Sequence, residues 1–259
     1  MALITCRFYS DVLGMTTTMT VILPQKTHNQ IGMKSDAKES ERHPVLYLLH
    51  GLSDDDSIWT RRTSIERYVS EMGIAVVMPQ VQRSFYTDMH YGMKYWTFIS
   101  EELPTIARSL FPLSAKREEN FVAGLSMGGY GAFKLALRKP EQFAAAASLS
   151  GVLDINAYKD RAASFVMNDY QLIFGDIGPR NTEDDLFYLL EQSDVNQLPA
   201  LYQCCGTDDL LFKGNQTFAA LLQEKNAALD YEENEGESHT WAYWDKKIQD
   251  VLKWLPLKH

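Results

Sequence analysis

In Gly124-Leu125-Ser126-Met127-Gly128, residue types and spacing together suggest covalent chemistry. The apolar run Phe121-Val122-Ala123 precedes it, and a helical pattern, Met127–Arg138, follows it. A serine on so tight a strand-to-helix turn is forced into a strained backbone conformation that lifts its hydroxyl above the sheet. Strand and helix can approach only across small residues, which suits Gly124 and Gly128. At the start of the helix, the N–H of Met127 can face a developing oxyanion. A bare G-x-S-x-G also arises by chance as a glycine-rich helix start, but the strand before and helix after argue against that.

A serine hydroxyl is a weak nucleophile unless a base takes its proton as it attacks. Six histidines are available. His28 and His43 sit in a polar stretch, His259 is terminal, His90 lies in an aromatic loop, and His50 ends a strand before a glycine. His239, in Gly236-Glu237-Ser238-His239-Thr240-Trp241, follows the possible strand Leu229–Glu233. This class of serine site runs serine, acid, histidine along the chain, and only His239 comes late enough on a strand-following loop. Taken alone it would be a solvated loop histidine; beside Ser126 it is the candidate base.

The acid should follow the strand Ala200–Cys205, where Gly206-Thr207-Asp208-Asp209 stands. A carboxylate there can accept a hydrogen bond from the histidine ring and fix its tautomer. Spacing from Gly206 favours Asp209, with Asp208 the near rival and Asp154 a distant one. One of the neighbouring aspartates is expected to cap a helix starting near Leu210. A second oxyanion donor is expected from the loop His50-Gly51-Leu52-Ser53, with Leu52 N–H pairing with Met127 N–H. Asp54-Asp55-Asp56-Ser57 reads as a solvated loop and N-cap rather than a metal site.

Other chemistry has little support. Adjacent Cys204 and Cys205 in an apolar strand behave as small hydrophobes without an activating base. Gly129-Tyr130-Gly131 belongs to the serine turn and is not a dinucleotide fingerprint. Asn215-Gln216-Thr217 matches a glycosylation sequon that matters only in a secreted chain. Among the aromatics, Trp59, Tyr86 and Tyr91 are candidates for substrate binding, with core packing the alternative for each.

The elements that must position these residues alternate. Two β-branched runs, Thr5–Tyr9 and Thr17–Leu23, open the chain, and the polar stretch Gln25–His43 reads as an exposed loop. Apolar runs at Val45–Leu49, Ile74–Met78, Phe121–Ala123, Ala144–Leu149 and Ala200–Cys205 suit strands buried on both faces of a parallel sheet. Helical patterns lie at Ile58–Met72, Trp96–Leu110, Met127–Arg138, Phe218–Lys225 and Trp244–Leu255. The expected fold is α/β: about eight strands in a mostly parallel sheet, the first two antiparallel, flanked by helices. Ligands of such sheets bind outside the carboxyl ends of the strands. The charged, aromatic-dotted segment from Asp154 to Gln197, with Tyr158, Phe165, Tyr170 and Phe174, is expected to be a cap beside the site, inside one domain spanning 1–259.

Composition narrows the class. The 259 residues are 45% hydrophobic and 23% charged, the signature of a globular chain. No apolar run is long enough to cross a bilayer. Arg7 and Asp11 interrupt the place where a secretory signal would lie, so a cytoplasmic protein is expected. A net charge of −9 repels phosphates and argues against nucleic acid as a partner. Three cysteines make neither a disulfide framework nor a zinc spacing.

Seven motifs in order resemble the esterase D-like α/β hydrolases: His50-Gly51-Leu52, Tyr86-Thr87-Asp88, Tyr91-Gly92, Glu101-Glu102-Leu103-Pro104, Gly124–Gly131, Gly206–Phe212 and His239–Trp244. Small bacterial tributyrin esterases, relatives of S-formylglutathione hydrolase, are the most similar group. The likeness runs from about residue 4 to 256, without matching signal in the loop 25–43 or much of the cap. It implies an α/β-hydrolase fold and a serine carboxylesterase acting on short acyl chains, with the acid at Asp209. The His50-Gly51 pair departs from S-formylglutathione hydrolases and leans away from the thioester reaction. Feruloyl and acetyl-xylan esterases keep sugar-linked esters open, and a catalytically silent binding protein is the alternative from another class. The expected partner is a small-molecule ester, with no metal, organic cofactor or membrane required and homo-oligomerisation left open.

Overall fold

Alternate residues of each central strand face opposite layers of helices, which accounts for the unbroken apolar runs. The computed structural model describes residues 1–26, 31, 42–161 and 164–257. His28, His259, the ring of Phe165 and most of the polar stretch 25–43 lie outside what it describes. The strands are β1 (Ala2–Ser10), β2 (Met15–Leu23), β3 (Val45–Leu49), β4 (Ala75–Pro79), β5 (Asn120–Leu125), β6 (Ala145–Leu149), β7 (Ala200–Gly206) and β8 (Leu229–Asn234). They form one sheet in the order β1-β2-β4-β3-β5-β6-β7-β8. The β1–β2 and β2–β4 pairs are antiparallel, and the remaining pairs are parallel.

The helices are α1 (Ile58–Arg62), α2 (Ile65–Tyr68), α3 (Tyr95–Thr97), α4 (Leu103–Leu110), α5 (Met127–Arg138), α6 (Ile155–Arg161), α7 (Ser164–Phe174), α8 (Leu186–Gln192), α9 (Phe212–Glu224) and α10 (Trp241–Trp254). In β3, Val45, Tyr47 and Leu49 join the core layer that contains α5. Leu46 and Leu48 join the layer under α1, α2 and α10. A fully buried side chain of this kind contributes roughly 1.5–3 kcal/mol, so a strand buried on both faces is anchored at every residue.

Three helical expectations change in detail. The pattern Ile58–Met72 is two short helices, because Thr63 turns extended and its hydroxyl both donates to Trp59 O and accepts from Ile65 N. Trp96–Leu110 contains a π-helical turn at Phe98–Glu102. Pro104 lacks the N–H that would reach the Ser100 carbonyl, and the Gln142 amide donates to it instead at 3.3 Å. The helix expected from Phe218 begins six residues earlier, at Phe212, its start obscured by Gly214, Asn215 and Thr217, which are weak helix formers. Within 154–197 stand α6, α7 and α8, the last capped by the Asp185 carboxylate on Phe187 N and Tyr188 N.

The β5–Ser126–α5 turn depends on a close approach of backbone to backbone. A Cβ on Gly124 would collide with the backbone of Gly128, and one on Gly128 would lie 2.5 Å from Leu49 O. Helix α5 therefore rests directly on the end of β3. Gly128→Ala is expected to destabilise the protein by about 1–3 kcal/mol through overpacking against backbone that cannot move. Chemical denaturation checks this; an unchanged midpoint would contradict the close approach.

Candidate active site

Ser126 occupies the single residue between β5 and α5, with φ 53° and ψ −117°. Its N–H donates to Leu149 O at 2.9 Å, and its carbonyl accepts from Tyr130 N and Val152 N, each at 3.1 Å. Bonds to β6, α5 and the segment after β6 thus hold a conformation that a serine does not adopt unaided. The hydroxyl lies 3.0 Å from His239 Nε2.

His239 follows β8 and precedes α10, whose N-cap is the Thr240 hydroxyl. Its ring packs edge-on against Trp244 with centroids 4.7 Å apart. Nδ1 lies 2.8 Å from Asp209 Oδ2. An ionised carboxylate only accepts, so Nδ1–H donates to Asp209, leaving Nε2 free to accept from the serine hydroxyl. The Asp209 side chain is fully buried, whereas that of His239 is 26% exposed.

Asp209 combines two roles expected of separate aspartates. Oδ2 faces the histidine, and Oδ1 accepts from Leu211 N at 2.8 Å, which closes the turn into α9. Asp208 is exposed and engages through its backbone N–H, which donates to Glu237 O at 3.0 Å. Asp154 caps α6 by accepting from Ala157 N.

The loop after β3 is held carbonyl by carbonyl. Trp59 Nε1 donates to Leu49 O at 3.1 Å, and the Tyr86 hydroxyl donates to His50 O at 2.9 Å. His50 Nδ1–H donates to Gly51 O at 2.7 Å, while its Nε2 accepts from Val81 N at 3.1 Å. Leu52 comes next. Among the described residues, no acceptor takes the N–H of Leu52 or that of Met127, the first residue of α5.

These contacts revise the expected substrate-binding aromatics. Trp59 is 1% exposed and Tyr86 not at all, so neither can touch a ligand. Both are braces, since a buried indole or phenol seeks a partner for its polar atom. Tyr91 is 58% exposed, with its N–H on Leu172 O and its ring edge-on to His90. His50 was the missed residue. Its signal was a histidine within an otherwise apolar strand end, where burial requires both ring nitrogens to be satisfied.

The acidic run also differs from its expected solvated form. Asp56 is buried, accepting from the Thr18 and Thr20 hydroxyls at 2.8 and 2.7 Å and so tying this loop to β2. Asp55 accepts from Ser57 N and Oγ. Among the described residues, no group of three His, Cys, Asp or Glu could hold a metal. Burial pushes the Cys204 thiol up to about 12, and that of Cys205 higher still, consistent with inert packing.

A mostly parallel eight-stranded sheet with a serine between its central strand and the following helix defines an α/β hydrolase. The Esterase family model matches residues 10–255, and the chain belongs to that family of carboxylic ester hydrolases. An acetyl esterase of Caldicellulosiruptor saccharolyticus is 33% identical over 267 residues, covering 98% of both chains. The structure of FphF, a fluorophosphonate-binding serine hydrolase of Staphylococcus aureus, matches with TM-score 0.87 and 37% identity over 98% of each chain. The S-formylglutathione hydrolase FrmB of the same organism matches with TM-score 0.84 and 37% identity, again over 98% of each.

Burial lowers the pKa of His50, and a cation there would lose the bond from Val81 N. With the folded value below the unfolded value of about 6.5, acid protonates the unfolded chain first. The contribution of His50 to stability is therefore complete above about pH 6.5 and declines as pH falls toward the folded value. His43 is shifted the same way by burial, so the test is a difference. Between about pH 6.5 and 5 the wild-type melting temperature should fall more steeply than that of His50→Asn. Parallel slopes would remove the assignment.

Proposed function

We propose that this enzyme hydrolyses short-chain carboxylic esters by an acyl-enzyme route. The observation that carries the reading is His239 bridging Ser126 Oγ at 3.0 Å and the buried carboxylate of Asp209 at 2.8 Å. Ser126 attacks the acyl carbonyl as His239 Nε2 takes its proton, and Asp209 orients the ring and stabilises the imidazolium. The N–H groups of Leu52 and Met127 receive the oxyanion. His239 then protonates the departing alcohol, and water, activated the same way, releases the acid. No metal or organic cofactor enters this scheme.

A small cleft of about 20 Å³, partly open to solvent, lies between Gly151, Leu153, Asp154, Tyr158 and Leu210–Leu211. One wall follows Val152, which bonds the Ser126 carbonyl, and the other follows Asp209. The cleft also touches α6, which supports reading 154–197 as a cap on a single domain. Likeness to an acetyl esterase fits a short acyl group, as does the tributyrin esterase resemblance. Likeness to FrmB supports a second reading, hydrolysis of a glutathione thioester by the same residues. Free Cys6, Cys204 and Cys205 fit a cytoplasmic setting.

Ser126→Ala should lower turnover of p-nitrophenyl acetate by about 10⁶-fold, and Asp209→Asn by about 10⁴-fold. Asp208→Asn should stay near wild type. Substantial hydrolysis by Ser126→Ala would refute the scheme. In the same series, a preference of orders of magnitude for S-formylglutathione over p-nitrophenyl butyrate would transfer the assignment to the thioester.

A further inference from the structure

Lys134 lies on α5, eight residues beyond Ser126, and its side chain is fully buried. The ammonium donates to Tyr86 O at 3.0 Å, to the Thr87 hydroxyl at 2.8 Å and to Asp184 Oδ1 at 2.6 Å. All three N–H donors are therefore used. The rings of Trp96 and Tyr130 lie beside it at 5.1 and 5.5 Å. Burying a lysine here is costly, and desolvation lowers its pKa to about 8 against the pull of Asp184. Holding the strap at 183–184 does not explain that cost. Tyr130 OH already donates to Asp184 O at 2.7 Å, and Arg138 pairs with Glu183.

The other two bonds reach the loop that carries Tyr86. Phe85 and Tyr86 have φ of 49° and 50°, successive left-handed residues without a glycine. Such a pair persists only where its surroundings over-determine it. The Tyr86 ring lies where a Cβ on Gly131 would approach to 2.5 Å, and its hydroxyl reaches His50 O. His50 stands two residues before Leu52.

We propose that Lys134 and Tyr86 form a relay that sets the direction of the Leu52 N–H, making both positioning residues for the oxyanion hole. The ammonium fixes the Tyr86 backbone from α5, and the phenol carries that position across to the His50 carbonyl. Since α5 also begins at Met127, one helix governs both proposed oxyanion donors. The relay rests on the Proposed function, specifically on the role of Leu52.

A relay that aims a donor affects the transition state more than substrate binding, because the oxyanion forms only during reaction. Tyr86→Phe removes one hydroxyl and keeps the ring. With p-nitrophenyl acetate, it should lower kcat about tenfold to a hundredfold while KM stays within about twofold. Inhibition by phenylboronic acid, whose tetrahedral adduct needs the same donors, should weaken in proportion. Lys134→Met should behave alike, and the double variant should be little worse than the poorer single, as expected for one chain of contacts. Arg138→Gln breaks the Glu183 pair and the guanidinium's stacking on Trp96 at 4.1 Å, leaves the bonds from Lys134 to Tyr86 O and the Thr87 hydroxyl in place, and should retain wild-type kcat. Wild-type kcat in Tyr86→Phe, or a rise in KM alone, overturns the relay even if Lys134→Met fails to fold. Ser126→Ala separates the two readings: if it is inert, the relay alone has failed; if it is active, the esterase scheme has failed as well.

Discussion

The backbone of Ser126 must leave a strand and enter a helix within one residue, and the structure around it follows from that constraint. At φ 53° the residue sits where side chains crowd the backbone, at a cost of about 1–3 kcal/mol. Its neighbours hold it there by hydrogen bonds from Tyr130 and Val152 and one to Leu149. The same turn drives α5 onto the ends of β3 and β5, which is why Gly128 meets the carbonyls of Leu49 and His50. The Ser126 turn and the loop after β3 are thus built against each other.

Much of this was legible because it is local. The strand–G-x-S-x-G–helix order placed Ser126, and the apolar runs placed the strands to within a few residues. The parallel sheet then put chain segments 206–209 and 236–240 at the same edge, so Asp209 and His239 followed from order along the chain. What escaped was carried across space. Trp59, Tyr86 and His50 each close a bond to a different carbonyl of 49–51, and aromatic composition alone does not distinguish a ring that lines a cleft from one that braces a loop. Asp56 looked solvated because its partners, Thr18 and Thr20, lie some forty residues earlier on β2. The break at Thr63 was hidden for the opposite reason: a hydroxyl ended a helix that apolar periodicity alone would have continued.

Asp209 and His239 stand on neighbouring turns tied together by backbone hydrogen bonds, whereas Ser126 stands on the separate turn between β5 and α5. Strands β7 and β8 pair in parallel through Gly206 and Asn234, and the turns beyond them interlock. Thr207 N donates to Asn234 O, Asp208 N to Glu237 O, and Gly236 N to the Thr207 hydroxyl, each at 3.0 Å. Gly206 is required there, since a Cβ would strike Glu237 O. Backbone bonds therefore fix the aspartate relative to the loop that leads into His239, and the Leu211 N–H prevents the carboxylate from rotating. Ser126 belongs to a separate unit made of β5, α5 and the β3 loop. The two units meet through the 3.0 Å contact between hydroxyl and imidazole and through the Trp241 ring, two residues beyond His239, packed edge-on against Trp59 at 5.2 Å, which in turn holds Leu49 O.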